Sequence, residues 1–254
     1  KYVCVDWKAL VDVIDALGGL DLDLTKEEVH WVNGYITETA NSIGYPCDAL
    51  KGEGRVHLNG VQAVSYSRIR YTSGDDFLRA SRQRIVLQAI LEKCKGEDIA
   101  TLTSMCSSMM DDISTNFTVK EILALAKNVT KYQISSTTGF PYNVATKELS
   151  GVGDTVIPID LATDVVQLHK YLFEDESYTV SDTVQSISDT VQKKTDVDSK
   201  TDIYDTTKYN NTAGSTGTEG AKKKNKDAQD ALKKSQSESE NDSTTKSSSD
   251  DSDD

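Results

Sequence analysis

The chain has 254 residues, of which only 37% are hydrophobic and 27% are charged, a thin supply of apolar side chains for one core of that length. Its net charge of -13 argues against general nucleic-acid binding, because the phosphate backbone selects basic surfaces. No run approaches the roughly 18 to 20 apolar residues of a membrane span, and no secretory pattern is visible, so any anchor is expected to precede Lys1.

Residues 2–5 read as a short strand. Asp6 then caps a helix whose Trp7, Leu10, Val11, Ile14 and Leu17 recur at helical spacing and predict one buried face. Gly18 and Gly19 stop it. Leu20, Leu22 and Leu24 alternate with Asp21 and Asp23 as a half-buried strand does, and Thr25 with Glu28 forms a capping box that opens another short helix. Residues 33–55, with their glycines, a proline and polar side chains, read mostly as loop. Helical segments are predicted over 58–68, 77–95, 99–110 and 119–132, a strand over 155–159 and a closing helix over 161–173. Strands alternating with helices favour a layered α/β domain.

Composition shifts sharply near Glu176. From Ser177 onward there is no Phe or Trp, Ser, Thr, Asp and Lys dominate, and the chain ends in an acidic run at 250–254. Such a segment buries too little apolar surface to offset the entropy of ordering it. The expected division is therefore a folded unit over 1–176 and a disordered polar tail over 177–254. A short echo within the tail, SDTVQSISDTVQ, predicts a transient helix.

The arginines carry the chemistry. All six, Arg55, Arg68, Arg70, Arg79, Arg82 and Arg84, lie in one 30-residue window, and every other basic chain is lysine or histidine. A guanidinium is a planar, permanently charged fork that matches phosphate oxygens two at a time, whereas lysine is a point charge. A window of forks in an acidic chain suggests a built anion site; the plainer alternative is a surface ion-pair network with Asp75 and Asp76. Arg68 and Arg70 fall at the exit of a helix. Arg79 and Gln83 share a face of the next one, with Arg82 beside them, while Arg84 points elsewhere. The start of that helix adds free N–H groups and a positive dipole end. Asp76, at the same start, is either an N-cap or a group that orients Arg79 or accepts a proton from an attacking hydroxyl.

The stretches VDWKALVDVIDALGGLDLDL, LNGVQAVSYSRIR and GDDFLRASRQRIVLQAI, followed more loosely by FPY and VIPID, together resemble the LytR-CpsA-Psr family over residues 2–173. The resemblance implies an α/β fold with a central mixed sheet flanked by helices, enclosing an apolar tunnel. It also implies a membrane-tethered, extracytoplasmic phosphotransferase of the bacterial envelope, which moves glycopolymers such as wall teichoic acid or capsule from polyprenyl-pyrophosphate carriers to peptidoglycan. By position, Arg68, Arg70, Arg79 and Gln83 match residues that grip the pyrophosphate. Asp76 matches an acidic residue beside them, and Asp76 with Arg79 is the expected catalytic pair. Mg2+ is the implied cofactor, held by aspartates expected upstream of Lys1, so the chain taken alone is expected to lack the metal ligands and the activity. Two rivals keep the arginines but change the outcome: a non-catalytic binder of polyprenyl phosphates or wall polymers, and a lipid pyrophosphatase.

The remaining polar features have ordinary explanations. His30, His57 and His169 pair with no obvious nucleophile, and Asp12 and Asp15 fall on the polar side of an amphipathic helix. Met105, Met109 and Met110 fit helix packing. Cys4, Cys47, Cys94 and Cys106 form no CxxC and read as free, buried thiols, with a Cys94–Cys106 disulfide as the alternative.

Overall fold

The computed structural model describes residues 1–70, 75–108, 112–198, 200–201, 203–210 and 215–217. Met109, Met110 and the last part of the expected tail, residues 218–254, lie outside them.

Strand β1 (Val3–Val5) leads into α1 (Trp7–Ala16), whose N-cap Asp6 accepts from the Ala9 amide at 2.8 Å. The predicted stripe buries Val11, Ile14 and Leu17 and half-buries Leu10. Its first member departs from the prediction, because Trp7 sits at the open end of the helix and is 44% exposed. Gly18 and Gly19, both at positive φ, turn the chain into β2 (Leu20–Leu24), which alternates buried leucine with half-buried aspartate as expected.

Helix α2 (Lys26–Ile43) opens on the Thr25–Glu28 capping box but does not stop early. Residues 33–43, read as loop from sequence, are helix. Val29, Val32, Ile36 and Ile43 hold one apolar stripe through the polar stretch, and the single Gly34 costs about 1 kcal/mol without breaking it. Gly44 ends the helix in the left-handed conformation. Strand β3 (Gly54–Leu58) begins at the end of that expected loop and runs to Leu58, where a helix was expected to start; it pairs antiparallel with β2 so that Leu20 faces Leu58 and Leu24 faces Gly54.

Next comes α3 (Gly60–Arg68), opened by a second capping box from Asn59 and Gln62. Gly60 has no room for a side chain: a Cβ there would strike the Val11 carbonyl, so α3 starts directly against α1. The long α4 (Asp75–Gly96) follows. These four helices and the β2–β3 ribbon enclose the main core, which includes Val11, Ile14, Leu22, Leu58, Tyr66 and Ile85. Arg82 of α4 is buried in it and donates from Nε to Glu28 Oε1 at 3.0 Å and from Nη1 to the Ile69 carbonyl at 3.3 Å. The other oxygen of Glu28, Oε2, completes the capping box on the Thr25 amide at 3.0 Å.

Helix α5 (Ile99–Ser108), strand β4 (Ile113–Thr115) and helix α6 (Val119–Ala126) form a flank, with β4 antiparallel to β1. Helix α6 is shorter than predicted, giving way to a 3-10 turn over Val129–Lys131. A third sheet joins β5 (Asn143–Leu149) to β6 (Gly153–Pro158), and α7 (Leu161–Phe173) follows.

The α/β class is as expected. Among the described residues, however, the strands lie in three small antiparallel sheets rather than one central mixed sheet. Parallel neighbours need long crossovers that return the chain to the same end. Here α2 and its connection bring β3 back beside β2 in the opposite sense, and β5 and β6 join by a tight turn.

Order also continues past Glu176. The echo sequence forms α8 (Asp182–Thr195), capped by Ser181, and β7 (Tyr204–Asp205) pairs with β5. The expectation of a solvated tail from Ser177 therefore fails over this stretch. Average composition concealed a few well-placed contacts: Ser188 of α8 is buried and donates to Asp160 at 3.1 Å, Gln192 reaches the Ile159 carbonyl at 2.8 Å, and Val197 joins Ala145, Ile157 and Ile159 in a second small core. Further on, the Asp23 amide donates to the Thr216 carbonyl at 2.7 Å, which lays residues 215–217 along β2.

All four cysteines are free thiols; Cys4 is exposed and the other three are half-buried rather than buried. Burial pushes the thiols of Cys94 and Cys106 up, Cys94 further influenced by Cys106 nearby. Among the described residues no helix is long and apolar enough to cross a membrane.

Candidate functional site

Three elements meet at one cleft of about 610 Å³: the first turns of α1, the middle of α2, and the junction of α3 with α4. Its polar lining is Arg68, Arg70 and Arg79 with Gln83 and Glu38, and its apolar lining includes Trp7, Leu10, Val86 and Leu87. The four residues selected from sequence as pyrophosphate ligands thus line one cavity. Helix α3 ends at Arg68, its C-cap Ile69 turns the chain, and Arg70 emerges beyond it, which is how two arginines two positions apart reach the same space. Arg79 and Gln83 share it because four residues make roughly one helical turn.

Each guanidinium is held differently. The guanidinium carbon of Arg68 lies over the Trp7 ring, 3.7 Å from its centroid, and Arg68 donates to Thr39 Oγ1 at 2.8 Å and to Glu38 at 2.7 Å. A cation–π contact of this kind is worth about 0.5–2 kcal/mol. Thr39 is fully buried and also accepts from Ser65 at 3.1 Å, so it cannot swing away. Arg70 is more exposed and makes a two-pronged contact with Asp76, from Nε at 2.9 Å and Nη2 at 3.0 Å. Arg79 reaches the same carboxylate at 3.2 Å. Asp76 therefore lies inside the first turn of α4 as a bridge between two arginines; of the roles weighed from sequence, orienting Arg79 is the one its geometry serves. The side chain of Asp75 lies outside the described residues.

The other arginines serve elsewhere. Arg82, placed beside Arg79 from sequence, instead turns into the core to meet Glu28. Arg84 points away from the cleft, as its position in the helix predicts, and donates to the Tyr209 carbonyl at 3.0 Å. Arg55 pairs with Asp23 across β2 and β3 at 3.2 Å, an exposed contact of little energetic weight. Sequence reasoning missed Trp7, Tyr35, Glu38 and Thr39 as parts of the site. Trp7 looked like one more core residue, and the other three lay in the stretch read as loop; an aromatic at the exposed start of an amphipathic helix was the one available signal.

The arrangement is chemically suited to an anion. Three cations face two carboxylates in the cleft, leaving net positive charge beside an apolar wall, a combination suited to an amphiphile with a phosphorylated head. The residues present do not fit a divalent cation. Asp76 is already engaged by two guanidiniums, and no group of three or more His, Cys, Asp or Glu that could hold a metal occurs among the described residues.

The sequence profile of the LytR_cpsA_psr family matches residues 1–166. Among curated proteins, the polyisoprenyl-teichoic acid–peptidoglycan teichoic acid transferase TagV of Bacillus subtilis (strain 168) is 28% identical over 127 residues, which cover 49% of this chain and 30% of that protein. TagU of Bacillus mycoides (strain KBAB4), a transferase of the same description, is 30% identical over 131 residues, covering 50% of this chain and 37% of that one. The chain thus matches about a third of the length of these curated relatives. Among solved structures, that of a transcriptional regulator from Enterococcus faecalis superposes with a TM-score of 0.51 at 15% identity, covering 76% of this chain and 65% of that one, a likeness of fold alone.

Proposed function

The chain belongs to the LytR_cpsA_psr family, and from that premise we propose that its cleft binds the pyrophosphate of a polyprenyl-linked glycan, which the complete protein transfers to peptidoglycan. The observation that carries this reading is the convergence of Arg68, Arg70, Arg79 and Gln83 on one cleft that is also lined by Trp7, Leu10, Val86 and Leu87. The forks suit the two phosphates, and the apolar wall suits the first isoprene units. Relatives named as teichoic acid transferases support the class of donor and acceptor.

In the reaction a sugar hydroxyl attacks the phosphorus that bears the glycan, the bond to the bridging oxygen breaks, and polyprenyl phosphate departs. Negative charge grows on that departing phosphate. Arginines already oriented before the reaction stabilise it without reorganising, which is the main source of catalysis in phosphoryl transfer. Asp76 holds Arg70 and Arg79 in place until the pyrophosphate displaces it from one of them; only then does an oxygen of Asp76 become free to take the hydroxyl proton. On this reading the protein works at the extracytoplasmic face of the bacterial membrane, where a lipid carrier and peptidoglycan meet.

Titration calorimetry with farnesyl pyrophosphate tests the binding step. Arg79→Ala removes a charge-assisted contact and is expected to weaken binding about 10- to 100-fold, whereas Arg55→Gln, outside the cleft, leaves it unchanged. Equal affinity in Arg79→Ala and the unsubstituted chain refutes the site. For the complete protein, products formed with and without a glycan acceptor separate transfer from hydrolysis, and binding with neither product indicates a holding protein.

A further inference from the structure

We propose that residues 204–210, beyond the composition break, are a positioning strap for the cleft: Tyr204 and Tyr209 clasp Phe77 and so fix where Asp76 and Arg79 stand. The inference rests on the pyrophosphate reading of the cleft and adds to it a part of the chain that the family profile, ending at residue 166, does not cover.

The first turn of α4 needs such a support. Residues 76–80 are all partly exposed, and the first fully buried side chains of the helix are Ser81 and Arg82. Asp76 and Arg79 therefore project past the main core, where helix ends ordinarily fray. Phe77 stands between them in sequence and faces two tyrosines. Its ring lies 5.2 Å from that of Tyr204 at 26° and 6.3 Å from that of Tyr209 at 14°, and the two tyrosine rings are 6.0 Å apart at 15°. The two phenol oxygens are hydrogen-bonded to each other, which locks the pair as a unit.

The strap is itself fixed at several points. Tyr204 and Asp205 pair with Val144 and Asn143 of β5. Thr206 is buried; its amide donates to the Tyr142 carbonyl at 2.8 Å and its hydroxyl to the Pro141 carbonyl at 2.8 Å. Asn210 accepts from the Gly139 amide at 3.3 Å and donates to Thr138 at 3.1 Å. Arg84, two turns along α4 from Phe77, holds the Tyr209 carbonyl. The strap thus spans from the third sheet to α4 and grips that helix at Phe77 and Arg84. A fixed aromatic clasp transmits the position of the sheet to the turn that carries Asp76.

The test uses the full chain with Phe77→Leu, Tyr209→Leu and Tyr209→Phe, and with Arg79→Ala as the reference for the cleft itself. Affinity for farnesyl pyrophosphate is measured together with amide hydrogen exchange along α4. Loss of one stacked ring is expected to weaken binding about 3- to 10-fold in the two leucine variants. Tyr209→Phe, which keeps the ring, is expected to retain most of the affinity. Exchange is expected to quicken at amides 78–80 and to stay unchanged at 85–90; general destabilisation would quicken both. If the leucine variants bind like the unsubstituted chain while Arg79→Ala does not, the strap is refuted and the cleft stands. If Arg79→Ala also binds normally, the pyrophosphate reading falls and takes the strap's role with it. Quickened exchange throughout α4 likewise overturns positioning in favour of a purely structural clasp.

Discussion

Helices α1 and α6 are both amphipathic, yet they meet opposite fates. In the body, α1 buries Ala9, Val11 and Ile14 and packs against α3 and α2. In the flank, α6 buries none of its side chains, β1 beside it is exposed along its whole length, and Val119 and Leu125 are 61% and 46% exposed. Both regions have well-formed caps, Asp6 for α1 and the Thr118–Glu121 box for α6. Local signals therefore build a helix in either place, and only tertiary packing distinguishes a core from a surface. A periodic apolar stripe reports a face suited to being covered; whether it is covered depends on neighbours far along the chain.

The largest expected effect lies in the body. Arg82→Ala removes the cation from the buried Glu28 carboxylate, which keeps only its Thr25 contacts, and is expected to cost about 3–5 kcal/mol, read from the urea midpoint. A loss below about 1 kcal/mol would mean the body tolerates solvent as the flank does, and the contrast would collapse.

The C-terminal layer gives the next effect, as a pH dependence. Desolvation raises the carboxyl of Asp164, which is 1% exposed, from 3.8 to about 6, against the opposing pull of backbone amides such as that of Tyr142. The folded state thus keeps a proton that the unfolded state gives up first. This contribution to stability is whole below pH 3.8, declines as pH rises to about 6, and is absent above it. Asp164→Asn is expected to flatten that decline and to raise stability at pH 7 by up to about 3 kcal/mol. An unchanged slope between pH 4 and 6 would show that this layer is as wet as the flank.

The smallest pair sharpens the comparison directly. Ile14→Val in α1 is expected to cost about 1 kcal/mol, and Val119→Ala in α6 less than about 0.5 kcal/mol. Equal losses in thermal unfolding would mean that α6 is packed in solution after all.

Much of the body was legible from sequence because its signals are local. The α1 stripe, the Leu20–Leu24 alternation and the Thr25–Glu28 box each need only a few residues to be read. The second half of α2 was not, since Asn33, Gly34 and a series of polar residues lower its average hydropathy although its stripe persists. Strand β3 was lost between the expected loop and the expected helix, its alternation of Arg55 and His57 with Val56 and Leu58 hidden between glycines. In the site, helical spacing brought Arg79 and Gln83 together on paper and in the structure. The same arithmetic misplaced Arg82, because its destination is set by Glu28, 54 positions earlier. Composition misled most beyond Ser177, where isolated residues such as Ser188, Val197 and Tyr209 are enough to bind the chain to the domain.

Glu28 joins two kinds of order in one carboxylate. Its Oε2 closes the first turn of α2, a contact between residues three apart that forms as soon as the helix does, and its Oε1 receives Arg82 from a distant part of the chain. A long acidic side chain loses about 1.5–2 kcal/mol of rotamer freedom when it is immobilised, and here that loss falls on the cap. Arg82 then arrives at an acceptor already aimed. The nucleation of one helix thereby preorganises the docking of another, and the helix so docked is the one that carries Asp76, Arg79 and Gln83.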